Sequence, residues 1–362
     1  MNKKGFTLVE LLAVIAILAI LVLVAVPNVL NMFNKAKKDV FLTDAKNIYK
    51  EISKKYITEN MRGNNINAIS NDNNKLDMDT NDLKYNVKLD NKGNIKSFEV
   101  SNDTYCISGK FNNLNELTEE KIKEGECDKV TIAESFVTDT WQTIINAVKD
   151  GDIDEYNVGD TKEIDLGSYG KHTVRIANKS TPSECNTSGF SQTACGFVIE
   201  FADIITTYKV NETDTNVGGW PATPIRTFIN NDIYNSLPSE LKSAIIDTKV
   251  ISGHSNSSED VNFISTDKLY LLSPKEIYEN WSYTIDTSND SSRQLDYYNS
   301  KSVIIGKYSY VSKKYRNSTD YWWLRTANAN NSTSFLGIYG SGDWGSGISN
   351  TFGGISPAFR IG

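Results

Sequence analysis

Four cysteines, two histidines and one out-of-place carboxylate are where chemistry could reside in this chain of 362 residues. Cys106, Cys127, Cys185 and Cys195 show no C-x₂-C spacing, and neither His172 nor His254 lies near a cysteine in sequence. A zinc-type metal site is therefore not expected. An even number of thiols fits disulfides in an oxidising compartment and buried free thiols elsewhere. No G-x-S-x-G, H-E-x-x-H or Walker loop occurs, and the many Asp and Glu residues single out no acid/base pair. The segment YGSGDWGSG (339–347) holds G-x-G-x-x-G at Gly340, Gly342 and Gly345, but no helix pattern follows it. It reads as a surface loop rather than a dinucleotide cradle. The expectation is a non-enzyme with no catalytic residue, no metal and no cofactor.

Glu10 is the out-of-place carboxylate. It sits in an apolar run from Phe6 to Val26 that is otherwise broken only by Thr7. A helix of about 21 residues is about 31 Å long, the thickness of a bilayer's hydrocarbon core. A charge in that layer costs on the order of 3 kcal/mol or more, so something must make Glu10 worth keeping. A secretory signal would have a shorter core followed by a small-residue cleavage site. A plain membrane anchor explains neither Gly5-Phe6 nor Glu10.

The string KKGFTLVELL (3–12) resembles the class III signal of type IV prepilins. That resemblance implies cutting between Gly5 and Phe6 by a prepilin peptidase, N-methylation of Phe6, and a kinking proline where Pro27 stands. The freed amine stays positive after methylation and can meet a neighbouring subunit's Glu10 in a filament of bundled helices. Two unit charges about 4 Å apart attract by roughly 4 kcal/mol at an effective dielectric near 20. Desolvation opposes much of this, so the pair sets axial register more than stability. The alternative is that Glu10 pairs with its own N-terminus in the membrane. Lys3 and Lys4 favour a cytoplasmic N-terminus, whereas Lys35, Lys37 and Lys38 argue the other way. The processing signal decides for an N-terminus inside and the bulk of the chain outside. Export then argues for disulfides. Of three connectivities, spacing favours the local one, Cys106–Cys127 with Cys185–Cys195, and a loop of about 20 residues gives roughly 3 kcal/mol.

The elements that must carry these residues follow from periodicity. Phe41, Ala45, Ile48, Ile52 and Tyr56 recur on one helix face, with Lys46, Lys50 and Lys54 opposite. The helix is expected over 6–57, with 6–27 as its membrane or filament core and 1–5 as leader. It must end before Gly63, and the Asn/Asp-rich tract to about Asp82 is expected to be an exposed loop. Runs at 85–89 and 95–100 around the Asp90–Asn94 turn predict a hairpin, with Tyr105–Ile107 as a third strand. A long helix on a small antiparallel sheet, with a head over 58–130, is what a type IV pilin would show.

Composition shifts near residue 130. All six tryptophans lie beyond it, and residues 131–362 hold 19 Lys+Arg against 27 Asp+Glu, while residues 1–130 hold 19 against 18. About 230 residues is a full domain. The blocks GGWPATPIRTFIN (218–230), LPSELKSAIIDTKV (237–250), DKLYLLSPKEIY (267–278), RQLDYY (293–298), YWWLR (321–325) and GISPAFRI (354–361) follow in order. Together they resemble an uncharacterised extracellular domain common in Gram-positive surface proteins, over nearly all of 131–362. More distantly, the closing blocks resemble the C-type-lectin-like fold. Trp322, Trp323 and Leu324 suit a buried strand, and Arg325 and Arg360 can bond loop carbonyls. Trp220, Trp344 and Asp343 are the candidate ligand-binding residues, the indoles as stacking platforms for a sugar ring.

The expected class is therefore α+β: a pilin helix and small sheet, then a larger mixed α+β domain. The acidic second domain would repel phosphates, so nucleic acid is not the expected partner. Carboxylate- and Asn-bearing loops can hold Ca²⁺, but no EF-hand spacing appears. Expected partners are other pilins, the prepilin peptidase, the inner-membrane assembly machinery, and a host or surface glycan or protein. The expected function is a minor or tip pilin displaying an adhesive domain, first in the cell membrane and then on an extracellular pilus. A pseudopilin of a secretion or competence apparatus, or a tethered surface protein that never polymerises, are the alternatives.

Overall fold

The computed structural model describes residues 8–80, 82–128, 130, 132–253, 263–279, 281 and 291–362. The chain divides into two compact units, Met1–Ile132 and Ala133–Gly362, each with its own hydrophobic core.

In the first unit α1 runs from Leu8 to Met61 and passes through Pro27. The periodic stripe is its docking face: Phe41, Ala45, Ile48, Ile52 and Tyr56 are all buried, while Lys50 and Lys54 face solvent. The helix outlasts the expected boundary at 57 by one turn, because no breaker occurs before Gly63. There the chain turns left-handed at φ 79°, and the N–H of Asn64 returns to the carbonyl of Glu59 at 2.9 Å.

The stripe covers a five-stranded antiparallel meander in sequence order: β1 (Ala68–Ser70), β2 (Lys84–Leu89), β3 (Ile95–Ser101), β4 (Tyr105–Gly109) and β5 (Ile122–Glu124). In β2 the alternation is strict, with Tyr85, Val87 and Leu89 inward and Lys84, Asn86 and Lys88 outward. The Asp90 carboxylate accepts the N–H groups of Lys92 and Asn94 at 2.8 Å each and closes the expected hairpin. Gly93 is required there: its φ is +86°, and a Cβ would meet the Tyr56 ring at 2.3 Å.

The Asn/Asp-rich tract corrects an expectation. It is not a bare loop, for it contains β1 and buries Ile66, Ile69 and Leu76. Its asparagines stand in for backbone partners. Asn71 donates to the Leu83 carbonyl at 3.0 Å and accepts from the Tyr85 N–H at 2.7 Å, and Asn74 donates to the Ala68 carbonyl at 2.8 Å.

The second unit opens with α2 (Trp141–Asp150), started by the Thr140 hydroxyl on the Thr143 N–H and stopped by Gly151 at φ 72°. Its strands are β6 (Thr161–Asp165), β7 (Lys171–Asn178), β8 (Val198–Phe201), β9 (Thr206–Lys209), β10 (Thr248–Ser252), β11 (Phe263–Asp267) and β12 (Leu269–Tyr270). There follow β13 (Lys313–Tyr315), β14 (Ser318–Asp320), β15 (Trp322–Ala327), β16 (Ser334–Ile338), β17 (Trp344–Ile348), β18 (Phe352–Ile355) and β19 (Ala358–Arg360). One antiparallel sheet has the order β12-β19-β8-β7-β6. A second has the order β17-β16-β15-β18-β9, with only β15 and β18 parallel. Pairs β10–β11 and β13–β14 stand apart as hairpins. Both large sheets and α2 contribute to one core, in which β15 is buried along its whole length. The molecule is thus α+β, with the expected long helix and small sheet followed by a larger mixed domain.

Candidate functional site

The first candidate is the early half of α1. Leu8, Val9, Leu11, Leu12, Val14, Ile15, Ile17, Leu18 and Ile20 lie on every side of the helix and are all exposed, Leu8 at 78%. A helix apolar all round is stable only when something other than water covers it. Glu10, the lone charge among these residues, is exposed with them. The apolar surface continues through Val29, Met32, Phe33 and Val40 before the stripe turns onto the sheet. Among the described residues no helix is long and apolar enough to cross a membrane. The spanning expectation for Phe6–Val26 therefore rests on the sequence, and the cleavage pair Gly5 and Phe6 lies outside the described residues, as does His254.

The cysteines form two disulfides, Cys106–Cys127 and Cys185–Cys195. The first joins β4 to the chain beyond β5. The second closes a short loop that delivers Thr193 to the interior, where its hydroxyl bonds the Glu276 carboxylate. Arg360 holds the same loop through the Cys195 carbonyl at 2.7 Å, as the sequence suggested an arginine there can.

In the second unit the sequence blocks meet one another through buried carboxylates. Arg325 and Glu276 form a two-pronged ion pair, 2.7 Å on each arm, with both side chains fully buried. Arg325 also bonds the Leu271 carbonyl at 2.9 Å, and Glu276 accepts from Ser292 at 2.8 Å and from the Ser273 N–H at 3.0 Å. Glu200 takes Arg175 and Lys313, each at 2.8 Å, and the Tyr298 hydroxyl at 3.0 Å. Burial would raise Glu200, but Arg175 and Lys313 outweigh it and hold the carboxyl at about 2. One carboxylate shared by two buried cations leaves surplus positive charge, and burial pushes Lys313 down to about 8.

Trp220 is corrected as a stacking platform. It is 1% exposed, and its indole N–H donates to Asp267 at 2.9 Å. Asp267 also takes Arg226 at 2.6 Å and Ser265 at 2.8 Å, so the first block is welded to the third. Trp344 is half-buried, edge-on to Trp281 with ring centroids 5.1 Å apart. Asp343 accepts the Trp344 N–H at 3.0 Å and adds to burial in raising the Tyr278 phenol. Gly340, Gly342 and Gly345 lie in and beside the turn from β16 to β17. At Gly342 φ is +81°, and a Cβ would strike the Tyr308 carbonyl at 2.0 Å, so the glycine serves the turn and not a phosphate. Among the described residues no group of His, Cys, Asp and Glu can hold a metal ion. The three buried carboxylates escaped the sequence reading, because the arginine that pairs with each lies 25 to 49 residues away; only Glu276 carries a local signal, the S-x-x-E capping box with Ser273.

Two family models match the chain. Residues 1–26 match the prokaryotic N-terminal methylation motif, and residues 198–362 match a domain of unknown function, DUF6273. The second match is shorter than the resemblance read over 131–362, yet β6 and β7 share a sheet with β8 and so belong to the same folded unit. No curated protein and no solved structure matches the chain, so the lectin-like comparison has no solved counterpart. The N-terminal match is the type IV pilin signal, which gives the chain the character of a pilin- or pseudopilin-like surface protein.

Proposed function

We propose that this chain is a type IV pilus subunit, a minor or tip pilin, whose second unit is displayed for adhesion. The observation that carries the reading is the start of α1, where the apolar side chains from Leu8 to Ile20 are exposed on every side with one carboxylate, Glu10, among them. Copies of the same helix in a bundle would cover that surface, and Glu10 would fix their stagger against the Phe6 amine of a neighbour. The second unit has a separate core and is not needed for such a bundle. About 230 residues on every subunit would crowd a tightly packed core, which favours low copy or the tip. Before assembly the chain would sit in the cell membrane with its N-terminus in the cytoplasm.

N-terminal mass spectrometry of sheared filaments and membranes tests the reading. Expected is a chain beginning at methylated Phe6 in both fractions, with immunogold label for the second unit sparse or terminal on filaments. An intact Met1 sinks the pilin reading. A processed chain found only in membranes favours a pseudopilus or a tethered protein.

A further inference from the structure

His172 lies near the start of β7 with its side chain only 11% exposed, and both of its ring nitrogens face acceptors. Nε2 is 3.0 Å from the carbonyl of Tyr169, in the turn between β6 and β7. Nδ1 is 3.2 Å from Asp203 Oδ1, in the link between β8 and β9. Among the described residues neither Nδ1 nor Oδ1 has another hydrogen-bond partner, and solvent reaches neither atom. We propose that His172 is a proton-operated latch: charged, it ties the β6–β7 turn to the β8–β9 link, and neutral, it lets the turn go.

The chemistry of the two acceptors requires the proton. A carbonyl and a carboxylate only accept, and a neutral imidazole has one N–H to give. With that N–H on Nε2, the Nδ1 lone pair faces those of Asp203. With it on Nδ1, the Tyr169 carbonyl loses its donor. Only the imidazolium serves both. Burial opposes the charged ring, but the Asp203 carboxylate and the Tyr169 carbonyl outweigh it and hold the imidazole above its ordinary 6.5. A folded-state value raised in this way gives stability that is complete below pH 6.5 and is lost as pH rises through the folded value. The neighbouring charges are engaged elsewhere. Lys171 pairs with Glu163 at 2.7 Å and feels Asp165, Asp232 acts on the Tyr169 phenol, and Lys313 lies beyond Asp203.

What the latch restrains is aromatic. Tyr169 sits edge-on to Phe228 with ring centroids 6.4 Å apart, and Phe228 stacks on Tyr208 at 4.3 Å. All three rings are half-buried, so release of the turn uncovers Phe228. The latch belongs to the second unit and does not depend on whether the chain polymerises.

Nitrogen NMR on ring-labelled histidine, in the full chain in detergent, reads the proton, and His172→Gln distinguishes its signal from that of His254. The His172 midpoint should lie above 6.5, with both ring nitrogens protonated below it. Asp203→Asn removes the charge partner and should bring the midpoint to 6.5 or lower. Hydrogen exchange reads the turn. The amides of Leu166, Tyr169 and Gly170 bond within it. From below pH 6.5 to above the midpoint they should lose about tenfold in protection, beyond the change in intrinsic rate. His172→Gln cannot titrate, so its turn should be protected equally at both ends of that range. Lys313 falls to about 8 and titrates nearby, so Lys313→Met should keep the wild-type response. A midpoint at or below 6.5, a turn indifferent to pH, or a response that survives in His172→Gln each overturns the latch. Loss of the response in Lys313→Met overturns it in favour of that lysine.

Discussion

The two units treat their awkward residues in opposite ways. The second unit internalises them: Glu200, Asp267 and Glu276 are fully buried, and each carries its own arginine. The first unit leaves them outside, with some of its largest apolar side chains and Glu10 exposed along the early half of α1. A buried carboxylate is tolerable only when partners satisfy it. A bare apolar helix is tolerable only when a second body covers it. The second unit thus satisfies its charges from within, whereas the first leaves an apolar helix surface exposed.

The largest effect should come from spoiling the second unit's internal pairing. Arg325→Ala strands a fully buried carboxylate, which should cost roughly 3 to 5 kcal/mol. Thermal unfolding of the full chain should show the second unit's transition collapse while the first unit's holds. Replacing both partners, with Arg325→Met and Glu276→Leu, should recover most of the loss. A single variant that melts like wild type would mean the pair is not what completes the unit.

How much of this was legible beforehand depends on range. The stripe from Phe41 to Tyr56 and the Asp90 turn are local signals, and both stand in the structure. The Asn-rich tract misled, because Asn71 and Asn74 replace backbone partners through side chains, which leaves no periodicity to read. Trp220 fails as a stacking platform because its indole is claimed by Asp267, 47 residues away in sequence. Arg325 and Glu276 are 49 apart.

One disulfide lies in each unit, so each can be removed separately. Chain entropy assigns each about 3 kcal/mol. Cys185→Ser with Cys195→Ser should lower only the second unit's transition, and should loosen Thr193 on Glu276 as well. Cys106→Ser with Cys127→Ser should lower only the first. Denaturant melts followed by tryptophan fluorescence would isolate the second unit, because every tryptophan lies there. A shift of both transitions by either pair would show that the units do not fold separately.

A smaller effect should appear in the pH dependence of the second unit. Lys313 falls from its ordinary value near 10.5 to about 8 in the folded state. Between those limits the unfolded chain binds the extra proton and the folded chain does not, so stability should rise with pH across that window. Lys313→Met leaves Glu200 paired with Arg175 and should flatten that rise. An unchanged slope would assign it to other groups.

Glu10→Ala should have the smallest effect on folding and the most telling one on assembly. Glu10 lies in the exposed half of α1, outside the stretch from Phe41 that packs on the sheet, so melting of both units should match wild type. Cleavage at Gly5 should also proceed, since the residues on both sides of the cut are intact. Recovery in sheared filaments, however, should fall sharply, because helices without the charge lose the feature that distinguishes one axial stagger from the next. The expected loss is one of register and not of adhesion between helices: removing a charge from an apolar surface makes nonspecific bundling easier, not harder. Sedimentable but disordered aggregates, in place of filaments, are therefore the expected product. Ordered filaments at wild-type yield would mean that apolar packing alone sets the stagger, and the carboxylate would then need a different account.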